Sequence, residues 1–273
     1  MGFYSTEVLV NDARRHGVAV RPIAVNASEW WSFVDGDGAL RLGFHLVRGL
    51  GEAQRAQLEA ALGDGAFGDV LDFTRRTRLT REALENLAAA GAFAPWFATR
   101  REAMWALRGL DEREARGELG SRMDVDEPDP TFAPLLARET TSLDVYATGV
   151  ADVQPIAHFR RTLDAQNVLA ANRLAAMPNN LVCKVGGLVI TRQRPGTAKG
   201  FVFLTLEDET GLVNIIVRPD IYERFRRTIR SSQSLIIEGA LQKEYGCVDV
   251  LMKRCWPLET GETTEGVRPR NFH

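Results

Sequence analysis

At Leu181 the hydrophobic pattern of this chain changes period, and that change leaves few folds open to it. Upstream, apolar residues recur at helical spacing. From Leu181 to Leu258 they fall in short β-rich runs separated by glycine turns. Five runs can be read: Leu181–Gln193, Gly200–Glu207, Gly211–Val217, Ser234–Lys243 and Gly246–Lys253. Between the third and fourth lies a helical stretch, Asp220 to Ile229, with Pro219 as the break before it. Its apolar face carries Ile221, Tyr222, Phe225 and Ile229, and its polar face Glu223, Arg224, Arg226 and Arg227. Tight turns are expected at Asp208-Glu209-Thr210-Gly211 and Glu244-Tyr245-Gly246. Gly186-Gly187, inside the long first run, marks a bulge or bend that lets one strand serve both sides of a barrel.

Three strands, a helix and two strands is the order of an OB-fold. Such barrels bind oligonucleotides on strands two and three, between the loops that join strands one to two and four to five. The first loop here, Arg194 to Lys199 with Arg192 before it, is basic. Phe201 and Phe203 share one face of strand two, because side chains alternate. Asn214 sits in strand three, and Lys243 and Tyr245 border the second loop. Aromatic rings stack on unpaired bases while cations follow the phosphates, so these eight residues form a candidate single-strand site. A bland reading stands beside it: one phenylalanine belongs to the core, and OB-folds also bind proteins and sugars. Arg224, Arg226, Arg227 and Arg230 read as a solvated helix face.

The segment before the barrel is mostly helical, so the fold class is α+β and multi-domain. Thr6–His16 reads as a short helix ended by Gly17 and Val18–Val25 as a strand. Val34–His45 reads as a hairpin turning at Asp35-Gly36-Asp37-Gly38. Gly51–Leu110 is helical, with breaks at Gly63-Asp64-Gly65, Leu79-Thr80 and Gly91. From Asp111 to Pro134 acidic residues and prolines accumulate, as in a linker.

Arg48, Gly49, Leu50, Gly51 and Arg55 are a second candidate site, in a Gly-apolar-Gly turn between two helices. Its glycines permit a turn that leaves amide N–H groups at the start of the next helix, where an anion is favoured. A DNA phosphate fits there without any base contact. The alternative is an ordinary helical turn whose glycines only permit packing. A second hairpin follows, with Leu71-Asp72-Phe73 in one helix, a turn at Arg78-Leu79-Thr80 and Arg81–Ala89 in the next. Thr80 is its N-cap, and the turn lacks glycines, so it is expected to pack rather than hold phosphate. The basic run Arg75, Arg76, Arg78 and Arg81 reads mainly as an exposed charged face.

Bulk numbers exclude more than they suggest. The 273 residues, 45% hydrophobic and 26% charged, are enough for about two domains. A formal net charge of −2 gives no global sign of nucleic acid, so such binding must rest on local charge. Cys183, Cys247 and Cys255 have neither CxxC spacing nor nearby histidines, and read as reduced cytoplasmic thiols rather than a zinc site. No apolar stretch approaches a membrane span, and no signal peptide precedes Ser5. Met1-Gly2-Phe3-Tyr4 begins abruptly, as if cut from a longer chain.

The run Gly186-Gly187-Leu188-Val189-Ile190-Thr191-Arg192-Gln193-Arg194-Pro195-Gly196-Thr197-Ala198-Lys199-Gly200, continued by Phe203–Gly211, resembles the OB domain of bacterial DnaE-type DNA polymerases, the C-family, above all the error-prone branch (ImuC). Met1–Tyr4, Asp12–Gly17 and Val25–Ser28 are similar to the end of that family's fingers region, and Leu42-Gly43 through Gly51 to its tandem helix-hairpin-helix segment. The resemblance implies a division into 1–40, end of fingers; 41–110, tandem hairpins; 111–145, acidic linker; 146–180, helical connector; 181–258, OB-fold; and 259–273, tail. It implies a DNA-binding and docking segment of a translesion polymerase acting in damage-induced mutagenesis. The hairpin would hold duplex backbone and the barrel single-stranded template. Implied partners are primer-template DNA, ImuB, ImuA as a further candidate, and the sliding clamp indirectly. The short ending after the barrel is similar to that of the error-prone branch, and Gln166-Asn167-Val168-Leu169 matches a clamp-binding peptide poorly. The palm carboxylates that hold Mg2+ lie upstream in this family, so catalysis is expected elsewhere and no cofactor here. The acidic turn at Glu207-Asp208-Glu209 is expected to shape its loop. One departure is Gln154-Pro155-Ile156, where the family often has His-Pro-Met, which leaves the packing of connector on barrel open.

Overall fold

A computed structural model describes residues 4–115, 137–244, 246–259 and 270–272. The chain divides into two compact units, one of residues 16–152 and one of residues 1–15 with 153–273. The N-terminal helix thus groups with the barrel, which cuts across the expected first block. Among the described residues, no helix is long and apolar enough to cross a membrane.

The unit of residues 16–152 is helical, with a three-stranded ribbon at its start. β1 (Val20–Arg21) and β2 (Phe33–Val34) flank β3 (Leu40–Arg41), parallel and antiparallel respectively. The expected long strand at Val18–Val25 shrinks to two residues, because Pro22 has no N–H for the ladder. The turn at Asp35–Gly38 forms as expected, and Arg21 clamps it by reaching Asp35 at 2.6 Å and Asp37 at 2.5 Å. Four helices follow: α2 (Glu52–Gly63), α3 (Val70–Thr77), α4 (Arg81–Ala89) and α5 (Arg100–Ala115). Thr80 caps α4 by accepting from Ala83 N–H at 3.3 Å, and Arg78 takes the left-handed conformation, φ 51°, that ends α3. Phe73 lies at the centre of the core, edge-on to Phe67 and Phe93 at 4.8 and 5.3 Å. The expected linker ends early, because residues 137–148 form α6 (Ala137–Thr148). Arg100 holds it with a bond to Thr140 O at 3.3 Å and an ion pair to buried Asp144 at 2.6 Å. Residues 116–136, the rest of that linker, lie outside the described residues.

The other unit is a closed five-stranded barrel with its own support. β5 (Val182–Gln193), β6 (Val202–Asp208) and β7 (Gly211–Val217) form an antiparallel meander. α8 (Pro219–Ser231) leads to β8 (Ser234–Glu244) and β9 (Cys247–Pro257). β9 pairs parallel with β7 and antiparallel with β8, and β8 returns to β5, which closes the OB-fold. β5 exchanges partners at Leu188, pairing with β8 before it and β6 after it. The bulge falls between Val189 and Thr191 rather than at the glycines. Gly187 marks a close approach instead, since a Cβ there would sit 2.6 Å from Glu207 O. Val185, Leu204, Leu206, Ile215, Ile237 and Val250 interdigitate inside, as period-2 alternation dictates.

A second apolar cluster lies outside the barrel wall: Val8 of α1 (Thr6–Arg15), Ile156, Leu163 of α7 (Arg160–Ala165) and Val168 of β4 (Val168–Leu169) cover Leu188 and Ile190. The Gln-Pro-Ile departure therefore packs well. Ile156 is fully buried, and Gln154 accepts from Ile156 N–H at 2.6 Å and donates to Glu207 O at 3.4 Å. β10 (Arg270–Phe272) pairs parallel with the outer edge of β5.

Two charged clusters fasten this support. Arg160 bonds Glu209 at 2.5 Å, Asp208 at 3.1 Å and Val168 O at 3.3 Å. Asp208 Oδ1 accepts the N–H groups of Thr210 and Gly211, so the acidic turn is consumed in shaping its own loop. Arg15 reaches Glu207 at 2.9 Å, beside a second buried carboxyl, Glu7. Burial, then the Glu207 charge, raises the Glu7 pKa to about 8, with Arg14 opposing. Burial also lifts Glu207 to about 7 against the pull of Arg15. Glu207 has the cation, whereas Glu7 Oε1 has no hydrogen-bond partner among the described residues, so the charged form of Glu7 is the less supported of the two.

Candidate nucleic-acid interface

The outer face of the barrel is set by strand register. Val202, Leu204 and Leu206 point inward, so Phe203 and Thr205 point outward, and Phe203 is 37% exposed. Cross-strand pairing lays Gln193, Phe203, Ile216 and Leu251 in one row across β5, β6, β7 and β9. A second row holds Thr191, Thr205, Asn214 and Asp249. Neither phenylalanine is core: Phe201 is half-buried just before β6, on the same side by parity. An exposed ring with amide, hydroxyl and aliphatic neighbours can stack on a base and hydrogen-bond its edge. Gln193, Thr205, Ile216 and Leu251 escaped the sequence reading, although counting the ladder outward from Phe203 would have found them.

The basic loop sits at one end of these strands. Arg194 is exposed and its guanidinium lies 5.1 Å from the Tyr222 ring on α8. Lys199 is exposed and has φ 50°, which with Gly200 at φ 85° turns the chain into β6. Arg192 is different. It donates to Ile229 O at 2.8 Å and Ser232 O at 2.5 Å, and so caps the end of α8. Burial lowers its pKa from the usual arginine value. Its donors are engaged in holding the helix and are not offered to a phosphate.

At the other end, the β8–β9 turn carries Lys243, whose ammonium donates to Ala175 O at 2.5 Å and is likewise engaged. Tyr245 lies outside the described residues. The structure thus gathers Arg194, Lys199, Phe201, Phe203 and Asn214 around one face, and assigns Arg192 and Lys243 to structural bonds.

The hairpin at Gly49-Leu50-Gly51 has a different character. Its first arm is a single 3-10 turn, Phe44–Leu46, rather than an α-helix. Gly49 has φ 78°, and a Cβ there would lie 3.2 Å from Asn86 Nδ2. Asn86 in turn donates to Arg48 O at 3.0 Å, which pins the turn to α4. Three of the amides expected to face an anion are occupied. Arg48 N–H donates to Ala147 O at 2.7 Å, Leu50 N–H to Val47 O at 3.2 Å and Gly51 N–H to Gln54 Oε1 at 2.9 Å. That last bond is the reach-back half of a capping box; glycine has no side chain for the other half. Glycine N–H at position 49 has no acceptor among the described residues, and the first amides of α2 have no intrahelical partner by geometry.

The cations beside this turn are also engaged. Arg55 pairs with Glu59 at 2.8 Å and Glu52 at 3.7 Å, and lies 5.9 Å from both the Trp30 and Trp31 rings. Arg48 lies over the Tyr146 ring at 4.8 Å. Trp31 and Tyr146, 58% and 54% exposed, were not anticipated, because the residues that gather with each of them are distant in sequence. In the basic run, Arg76 bonds the carbonyls of Ala61, Gly65 and Ala66, while Arg75 and Arg78 stay exposed.

Comparison with known proteins fits this division. A helix-hairpin-helix family model matches residues 17–103, and an OB-fold nucleic acid binding domain model matches residues 183–258. An error-prone DNA polymerase from Anaeromyxobacter sp. (strain K) is 38% identical over the whole chain, covering 25% of that relative. One from Burkholderia pseudomallei is 40% identical over the whole chain and 26% of its own length. A third, from Corynebacterium glutamicum, is 38% identical over 96% of the chain and 24% of its own length. The chain therefore spans about a quarter of the relatives it matches. In sequence it is similar to a segment of the error-prone DNA polymerases, with a match to a helix-hairpin-helix motif followed by one to an OB-fold.

Proposed function

We propose that the chain is a DNA-holding segment of an error-prone DNA polymerase, in which the barrel binds single-stranded template and the hairpin holds duplex backbone. The observation that carries this reading is the row through Phe203, exposed beside Arg194 and Lys199 at the mouth of the first loop. Stacking on such a ring contributes about 1–3 kcal/mol per base, and the loop cations supply attraction independent of sequence. Nucleotidyl transfer, with its Mg2+, belongs on this reading to the rest of the parent polymerase, which acts in damage-induced synthesis. Fluorescence anisotropy with labelled oligo-dT across a salt series tests it. Saturable binding that weakens with slope about −0.7 per phosphate contact supports it. Absence of binding at low salt sinks it.

A second reading is a docking platform for ImuB or ImuA, with the sliding clamp reached indirectly. It is favoured by a cavity of about 510 Å3 on the back of the barrel, where Trp256 is 40% exposed over Lys184, Phe159 and Ile236. Pull-down with purified ImuB would separate the two: Trp256→Ala or removal of Val267–His273 abolishes capture if docking dominates, and leaves it intact otherwise.

A further inference from the structure

Several arginines elsewhere in the protein are neutralised within their own unit. Arg21, Arg55, Arg100 and Arg160 each meet a carboxylate within 2.8 Å. Helix α8 breaks the pattern. Arg224, Arg226, Arg227 and Arg230 are all exposed, and among the described residues no carboxylate pairs with any of them. Glu223 is the sole acidic residue between Tyr222 and Ser231. Spacings of three and four, 224 to 227 to 230 and 226 to 230, put these cations on adjacent rows of one helix face. Like charges at such spacings destabilise a helix. A face that carries this repulsion without an internal counter-ion is complementary to an external polyanion.

Its position points to which polyanion. The loop that carries the free Arg194 and Lys199 lies against α8. Gly200 backs onto Pro219, where a Cβ would be 3.3 Å from its ring, and Arg194 covers Tyr222 at 5.1 Å. At the other end of the helix, Arg192 bonds the carbonyls of Ile229 and Ser232. The end of β5 and its loop therefore run along α8, and the loop cations continue into the helix cations. We propose that the exposed face of α8 binds the phosphates of a single strand as it leaves the outer face of β6 and β7. The binding site of the OB unit would then be longer than its strands alone. This rests on the barrel-face reading above, and the test separates the two.

The whole 273-residue chain is titrated against labelled oligo-dT of about 6 and about 20 nucleotides, the first within and the second beyond the span of one OB-fold site, about 4–16 nucleotides. The variants are Phe203→Ala and a triple change, Arg224→Gln, Arg227→Gln and Arg230→Gln. Expected is a loss of tenfold or more on the long strand for the triple variant, with a salt slope smaller by about 2. The short strand should change by less than about twofold, because it fills the β face only. Lysine at the same three positions should restore most of the long-strand affinity, since charge rather than geometry is used. Phe203→Ala should weaken both lengths. If the triple variant leaves the long strand unchanged while Phe203→Ala weakens it, the helix proposal is wrong and the barrel reading stands. If the triple variant weakens both lengths equally, or the wild type binds neither, the helix does not extend the site. Recovery of poly-glutamate binding by the wild type alone, with DNA binding unchanged, would reassign the face to an acidic protein.

Discussion

The two units pair arginine with aromatic rings in opposite ways. In the hairpin unit, Arg55 lies near Trp30 and Trp31 but is held between Glu52 and Glu59, and the Gly51 amide is closed by Gln54. In the barrel unit, Arg194 covers Tyr222 with no carboxylate partner among the described residues, and Phe203 stands exposed on a rigid ladder. A cation beside a ring reads the same in sequence in both places. What differs is whether acidic residues at helical spacing reach it first. The barrel face presents its groups unpaired, whereas in the hairpin Arg55 and the Gly51 amide would have to exchange internal bonds to meet a phosphate, with only the Gly49 amide and the first amides of α2 left open. Each such exchange discounts affinity, because only the surplus over the bond given up appears as binding.

The largest expected effect would break the comparison at its foundation, by unfastening one unit alone. Arg160→Ala leaves buried Asp208 without its cation and should destabilise the barrel unit by about 3–5 kcal/mol. Thermal unfolding followed by calorimetry should then show one transition moved down and the hairpin transition in place. A common shift of both would show that the units unfold together.

Next in size is a pH effect confined to the barrel unit. Folded Glu7 keeps a proton that the unfolded chain releases above about 4.5. Its contribution is fully present below that pH and is lost as pH rises through about 8. Within that window stability should fall by up to about 1.4 kcal/mol per pH unit. Glu7→Gln removes one of the two titrating carboxyls, so denaturant midpoints measured from pH 5 to 8.5 should fall less steeply than in wild type and exceed it at the alkaline end. A wild-type profile already flat across that range would rule out a raised Glu7 pKa.

The smallest effect sharpens the hairpin side. Glu52→Gln with Glu59→Gln frees Arg55, and should raise duplex affinity about two- to fivefold while steepening the salt slope by about 0.9. An unchanged slope would mean that Arg55 serves the fold only.

Much of this was legible in the chain. The barrel strands, the α8 helix, the Asp35–Gly38 turn and the Thr80 cap all follow from period, turn residues and local capping chemistry. The parity of Phe201 and Phe203 also followed, since alternation is local. What was not legible depends on distant partners. Arg192 looked like a loop cation until the end of α8 was placed beside it, and Lys243 until Ala175 O reached it. The helix beginning at Ala137 hid behind a proline-rich, acidic stretch, because it is stabilised by Arg100 thirty-seven residues upstream of its start. The Glu7–Glu207 pair joins residues two hundred positions apart, beyond any pattern in a single window.

The most direct measurement sets the two units against each other on two ligands. Wild type and Phe203→Ala are titrated in parallel with a labelled single strand and a blunt duplex of equal length at one salt concentration. Phe203→Ala should lose about 5- to 150-fold on the single strand, from about 1–3 kcal/mol of stacking, and less than about twofold on the duplex. Equal losses on both ligands, or none on the single strand, would contradict it.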